Sequence, residues 1–73
     1  MKAAIILKNA DLKQFNKNDF DIVIGADSGA LLAVKNNIIL DIAIGDFDSV
    51  NNEEFELIKK NSKEIRKLNR ELL

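Results

Sequence analysis

Three short apolar runs, separated by helix-forming stretches, constrain this chain more than any other feature. They are Ala3-Ala4-Ile5-Ile6-Leu7, Asp21-Ile22-Val23-Ile24-Gly25-Ala26 and Asp41-Ile42-Ala43-Ile44-Gly45. Their length and β-branched content favour strands over helices. None alternates polar with apolar residues, as expected of strands covered on both faces in a parallel sheet. Between them, Ser28 to Lys35 is rich in Ala and Leu, which favours a helix. Asn36-Asn37 ends it, because Asn tolerates the left-handed conformation at a helix terminus. A second helix starts at Asn51, where Asn51 and Glu54 form a capping box flanked by Val50 and Phe55 at the staple positions. Phe55, Leu57 and Ile58 are expected to face the sheet. A short helix is expected over Asp11 to Phe15, with Asp11 as its cap. The tail, Ser62 to Leu73, reads two ways: Ile65, Leu68 and Leu72 recur at helical spacing, yet Glu64 to Leu68 alternates as a strand would. The order of elements predicts an α/β fold, three-layer, with a mostly parallel sheet and helix crossovers, Rossmann-like but incomplete.

Composition removes whole classes of chemistry. With 73 residues there is one domain at most, and a chain this short buries a small share of its surface. No cysteine means no disulfide and no thiolate metal site. No histidine means no imidazole base, and without Tyr or Trp only the four phenylalanines can stack on a planar ligand. Lys and Arg number 11 against 12 Asp and Glu, so no basic surplus points to nucleic acid. Lys59, Lys60 and Lys63 read as a solvated face. The longest apolar run is far too short to span a bilayer and shorter than a secretory apolar segment. A soluble, cytoplasmic protein is expected, and the lack of cysteine suits that compartment. Carboxylates, lysines, serines and backbone amides are left to do chemistry.

Two loops concentrate those groups. Gly25-Ala26-Asp27-Ser28-Gly29 follows the second apolar run, and Gly45-Asp46-Phe47-Asp48-Ser49 follows the third. In a parallel sheet both lie at the carboxyl edge, where open α/β folds bind ligands. One helix and one strand separate Asp27 from Asp46, so the loops should be neighbours with converging carboxylates. Carboxylates brought together repel, and one tends to protonate. A divalent cation removes that conflict, and Mg²⁺ is commonly held by one or two carboxylates plus substrate phosphates. Asp27, Asp46 and Asp48 are therefore candidate metal ligands. Gly45 would let the backbone leave the strand and a ligand approach. Gly29, near a helix start, would let backbone N–H groups meet a phosphate. Ser28 and Ser49 complete the candidate nucleotide-contacting set. A structural reading stands beside this one: Asp27-Ser28 and Asp48-Ser49 also suit helix caps and turns, and Phe47 suits packing.

Residues 25–50, GADSGALLAVKNNIILDIAIGDFDSV, resemble the bacterial branch of the thiamin pyrophosphokinase family. The likeness rests on Gly25, Asp27, Gly29, Ala30, Leu31, Asp41, and Gly45 through Ser49. Weaker similarity extends over residues 1–69. It implies an enzyme that moves the terminal pyrophosphoryl group of ATP onto the thiamin hydroxyl and releases AMP, with ATP as co-substrate and Mg²⁺ as cofactor. Asp46 and Asp48 would then be the catalytic carboxylates that bind Mg²⁺ and the phosphates, and Asp27 and the Gly29 backbone would line the nucleotide site. Such transfer needs charge neutralisation and alignment more than covalent help. Lys8-Asn9-Ala10 stands where the family has a glycine-rich turn, and Leu40 stands in place of a proline. The resemblance implies that residues 1–73 form the amino-terminal part of the ATP-binding α/β domain, without the thiamin-binding β domain or the Thr-Asp acids of the next motif. Low activity of the chain alone is expected, as is a homodimer.

Two other readings use the same residues. Asp46-Phe47-Asp48-Ser49-Val50 also fits the loop of haloacid-dehalogenase-type phosphotransferases, with the first Asp as nucleophile and the second as general acid. That family expects the motif on its first strand. A non-catalytic α/β fragment that self-associates is the other reading. It would pair through an open strand edge or through Ile65, Leu68, Leu72 and Leu73.

Overall fold

A computed structural model describes residues 1–68 of the chain. The order is β1 (Ala3–Ile6), a 3-10 turn (Lys17–Asp19), β2 (Ile22–Ala26), α1 (Ser28–Lys35), β3 (Leu40–Gly45), α2 (Asn52–Lys60) and β4 (Ser62–Lys67). The strands form one sheet in the order β1-β2-β3-β4, and every neighbouring pair is parallel. Crossovers between parallel strands are right-handed. Because each step moves the same way across the sheet, both helices land on one face, where α1 contacts α2.

Local chemistry sets the helix ends. Asn37 adopts φ 62°, and the N–H groups of Asn37 and Ile38 donate to the carbonyls of Val34 and Ala33 at 3.1 and 3.0 Å. This is the paired closure that satisfies the last carbonyls of a helix. At α2 the Asn51 side chain accepts from the Glu54 N–H at 2.8 Å, and Glu54 accepts from the Asn51 N–H at 2.9 Å. Both ends follow the sequence expectation.

The strand starts share one device. Asp21 accepts the Lys2 N–H and Asp41 accepts the Val23 N–H, each at 2.7 Å. Each carboxylate thus ties its own strand to the one before it. Lys63 Nζ, on β4, lies 3.3 Å from the other Asp41 oxygen.

Four expectations need correction or completion. Residues Asp11 to Phe15 form no helix: Asp11 accepts the Lys13 N–H at 3.0 Å in a local turn, and the only helical turn before β2 among the described residues is Lys17–Asp19. Leu57 does not face the sheet and is 37% exposed, whereas Ile58 is fully buried. Successive helical residues are rotated by about 100°, so the face holding Phe55 and Ile58 turns Leu57 away. The tail is a strand through Lys67, because pairing with β3 satisfies its backbone and half-buries Ile65. Leu72 and Leu73, also expected to be exposed, lie outside the described residues; Leu68 is exposed.

The fourth concerns the layers. The buried core, including Val23, Ala30, Ala33, Ala43 and Ile58, sits between the sheet and its two helices. Ile22, Ile24, Ile42 and Ile44 do not pack against that core. Ile5, Ile24 and Ile42 stand in one row across three strands, continued by Glu64 on β4. Ile5 is 63% exposed. Ile22, Ile24, Ile42 and Ile44 are half-buried, and among the described residues both helices lie on the other face.

The Asp41 tie carries a pH signature. Its bond from the Val23 N–H holds the carboxyl below the ordinary value, against an opposing push from partial burial and with help from Lys63. A carboxylate with a depressed folded pKa stabilises fully above its unfolded pKa of about 3.9 and loses that contribution as pH falls through the folded value. Asp41→Asn is therefore expected to lower the melting temperature near neutral pH and to flatten its fall on acidification. Melting curves recorded across the acid range check this; parallel acid limbs for both proteins would contradict it.

Candidate functional site

Three parallel strands deliver three loops to one edge. β1 runs into Leu7-Lys8-Asn9, β2 into Asp27-Ser28, and β3 into the Asp46–Ser49 loop. These segments line an open cleft of about 560 Å³, within the range of small-molecule sites. Five of the six expected site residues line it: Asp27, Ser28, Asp46, Asp48 and Ser49.

Gly29 is the sixth, and it is not on the cleft wall. It is buried, and a Cβ there would press on the Ile6 carbonyl oxygen and stand 2.8 Å from the carbonyl carbons of Ile6 and Leu7. Its missing side chain lets α1 approach β1. The space a side chain would take there is filled by the backbone of Ile6 and Leu7.

The Gly45–Ser49 loop is built around an inward phenylalanine. Gly45 has φ 145° and Phe47 has φ 59°, so the chain turns sharply out of β3. The Phe47 ring is 5% exposed and lies 5.1 Å from the Phe55 ring. Its packing role agrees with expectation. With Phe47 anchored in the core, Asp46 and Asp48 on either side of it face the cleft. Asp46 Oδ1 accepts the Asp48 N–H at 3.1 Å, the self-bonding turn that Asp favours. The Val50 N–H donates to the Phe47 carbonyl at 3.3 Å.

Asp27 departs from the capping reading of the sequence. It occupies the N-cap position of α1 but makes no side-chain cap bond. Its backbone sits at φ 50°, ψ −124°, a sparsely populated region for a residue with a Cβ. Its N–H donates to the Ile44 carbonyl at 2.9 Å, and its Oδ1 accepts the Phe47 N–H at 3.3 Å. The carboxylate therefore reaches across to the neighbouring loop. Among the described residues, no three acidic side chains are grouped to hold a metal ion. Asp27, Asp46 and Asp48 share the cleft, and one Asp27 oxygen is turned to backbone. Asp46 and Asp48 still offer the hard oxygens that suit Mg²⁺ with phosphates.

Lys8 and Asn9 also line the cleft; by sequence they stand where the family has a glycine-rich turn, but they were not counted among the site residues. A second signal was their position: they follow a strand parallel to β2 and β3, so they emerge at the same edge. Lys8 brings a positive charge to a wall otherwise dominated by Asp27, Asp46 and Asp48.

Residues 12–71 match the family model for the catalytic domain of thiamin pyrophosphokinase. The chain belongs to that family. A thiamin pyrophosphokinase family protein from Enterococcus faecalis superposes with a TM-score of 0.84 at 20% identity, over 94% of this chain and 33% of that one. At that identity the likeness establishes the fold. A protein from Lactobacillus plantarum matches at 26% identity with a TM-score of 0.60, over 96% of this chain and 35% of that one. The chain thus spans about a third of the length of these solved structures. No curated protein matches it.

In this thiamin pyrophosphokinase family chain, Gly45 is the residue that lets the two acidic loops touch. A Cβ at Gly45 would collide with Asp27 Oδ1 and stand 2.5 Å from its Cγ. Gly45→Ala is expected to destabilise the fold by about 1–3 kcal/mol, the scale of local backbone strain, and to shift the Phe47 amide resonance. Denaturant titration with amide NMR checks both; an unmoved Phe47 signal would contradict the contact.

Proposed function

We propose that this chain supplies the nucleotide- and metal-binding side of a thiamin pyrophosphokinase, which transfers the pyrophosphoryl group of ATP to the thiamin hydroxyl and releases AMP. The observation that carries the reading is the meeting of Asp46 and Asp48 with Lys8, Ser28 and Ser49 on one carboxyl-edge cleft, in a chain of this family. Asp46 and Asp48 would hold Mg²⁺, which supplies charge neutralisation for the phosphates when bound. Lys8 offers a further positive charge, and the Ser28 and Ser49 hydroxyls offer hydrogen bonds to phosphate oxygens. Pyrophosphoryl transfer rests on alignment and charge balance rather than on a covalent protein intermediate, which suits a chain with no histidine and no cysteine. The haloacid-dehalogenase-type reading expects its motif on the first strand, whereas here Asp46 and Asp48 follow β3; no observation favours it.

No helix among the described residues is long and apolar enough to cross a membrane. We place the reaction in the cytoplasm, the compartment that suits a chain without cysteine.

Calorimetric titration with Mg²⁺ and ATP tests the proposal. Asp46→Asn and Asp48→Asn are each expected to weaken binding by about 10-fold or more, the equivalent of one lost charge-assisted contact, with the circular dichroism spectrum unchanged. Equal affinity in both variants would remove the metal role from this loop.

A further inference from the structure

We propose that Asp27 is a positioning residue: it holds the Gly45–Ser49 loop in place through the Phe47 amide and leaves the cation to Asp46 and Asp48. The ligand-binding part of this inference rests on the proposed function; the clamp itself does not.

Three observations carry it. Asp27 is held in a costly backbone conformation, φ 50° and ψ −124°, and such strain persists only where surrounding contacts over-determine it. Those contacts are present: its N–H bonds the Ile44 carbonyl at 2.9 Å, its carbonyl accepts the Ala30 N–H at 3.0 Å, and its Oδ1 accepts the Phe47 N–H at 3.3 Å. Second, its side chain is the one expected to cap α1, yet it makes no cap bond. The carboxylate serves the other loop instead of its own helix. Third, the space it crosses exists only because residue 45 has no side chain, since a Cβ there would meet Asp27 Oδ1.

The consequence falls on the two acids beside Phe47. Phe47 has φ 59°, a left-handed conformation that only local contacts hold for an aromatic residue. Its ring is fixed from below by the core and its N–H from the side by Asp27. With both ends held, the directions of Asp46 and Asp48 are set before any ligand arrives. Preset donors need no reorganisation on binding. What Asp27 must supply is an acceptor oxygen in the right place, not a second charge on the ion.

Two substitutions separate these demands. Asp27→Asn keeps an acceptor oxygen and removes the charge. Asp27→Gly keeps the unusual backbone accessible and removes the acceptor. Amide hydrogen exchange of Phe47, read against the Ala43 amide in β3, needs no ligand. Asp27→Gly is expected to speed Phe47 exchange by about 10-fold or more, as loss of a charge-assisted bond implies, with Ala43 unaffected. Asp27→Asn is expected to restore most of the protection. Unchanged Phe47 exchange in the Gly variant would overturn the clamp. Should the Gly variant unfold, seen as loss of Ala43 protection, the Asn variant decides: loss of Phe47 protection there overturns the proposal. Titration with Mg²⁺ and ATP forms the second arm. Asp27→Asn is expected to bind within about 3-fold of the parent, against a loss of about 10-fold or more for Asp46→Asn. Equal losses in the two would make Asp27 a direct ligand and sink the positioning role. If the parent chain binds no Mg²⁺ and ATP, the proposed function fails, and the exchange measurement still decides the clamp.

Discussion

Parallel pairing of β2 with β3, Ile24 opposite Ile42 and Ala26 opposite Ile44, is the constraint from which the site follows. Two strands that run the same way must release their chains at the same edge. The Asp27 loop and the Gly45–Ser49 loop are therefore neighbours before any specific contact between them is considered. β1 obeys the same rule and adds Lys8 to the cleft. One Asp27–Phe47 hydrogen bond then links the neighbouring loops. The chain spends a glycine, a strained aspartate and a left-handed phenylalanine on that union, which is a large local outlay for a small fold.

Much of this was legible because it depends on local chemistry. The Ser28–Lys35 helix, its Asn37 terminus and the Asn51–Glu54 box each follow from residues within one turn of one another. The strands were visible as β-branched runs, and their shared edge followed from the alternation of strands and helices. The misses have two sources: a competing local turn, and partners distant in sequence. Asp11 has good capping chemistry but no helix to cap, and it closes a turn instead. The residues from Ser62 to Lys67 fit two periods equally, and only β3 decided between them. An isoleucine run reads the same whether a helix or water lies beside it, so the open face of the sheet left no mark in the pattern.

The candidate site divides in the same way. Which residues line the cleft followed from topology, and all but Gly29 are there. What each one does was less visible. Gly29 and Asp27 both belong to the GADSG loop that resembles the family, and each turns out to contact protein backbone: Gly29 against β1, Asp27 against Phe47. A family motif can thus hold residues that contact neighbouring backbone beside residues that line the cleft. Side-chain direction at Asp27 hinges on one unusual ψ, and residue identity does not encode that angle.

The doubled Asp-Ile-x-Ile-Gly segment also makes alignment between strands ambiguous. Sliding β3 past β2 by two positions would still set isoleucine beside isoleucine on the bare side and small residues beside one another under α1. Side-chain alternation forbids an odd slip but is blind to an even one. Two aspartates at opposite ends brace the observed alignment: Asp41 on the Val23 amide and Asp27 on the Phe47 amide. A vernier pinned at both ends has one reading, so an aspartate at the cleft also helps hold the strands in step.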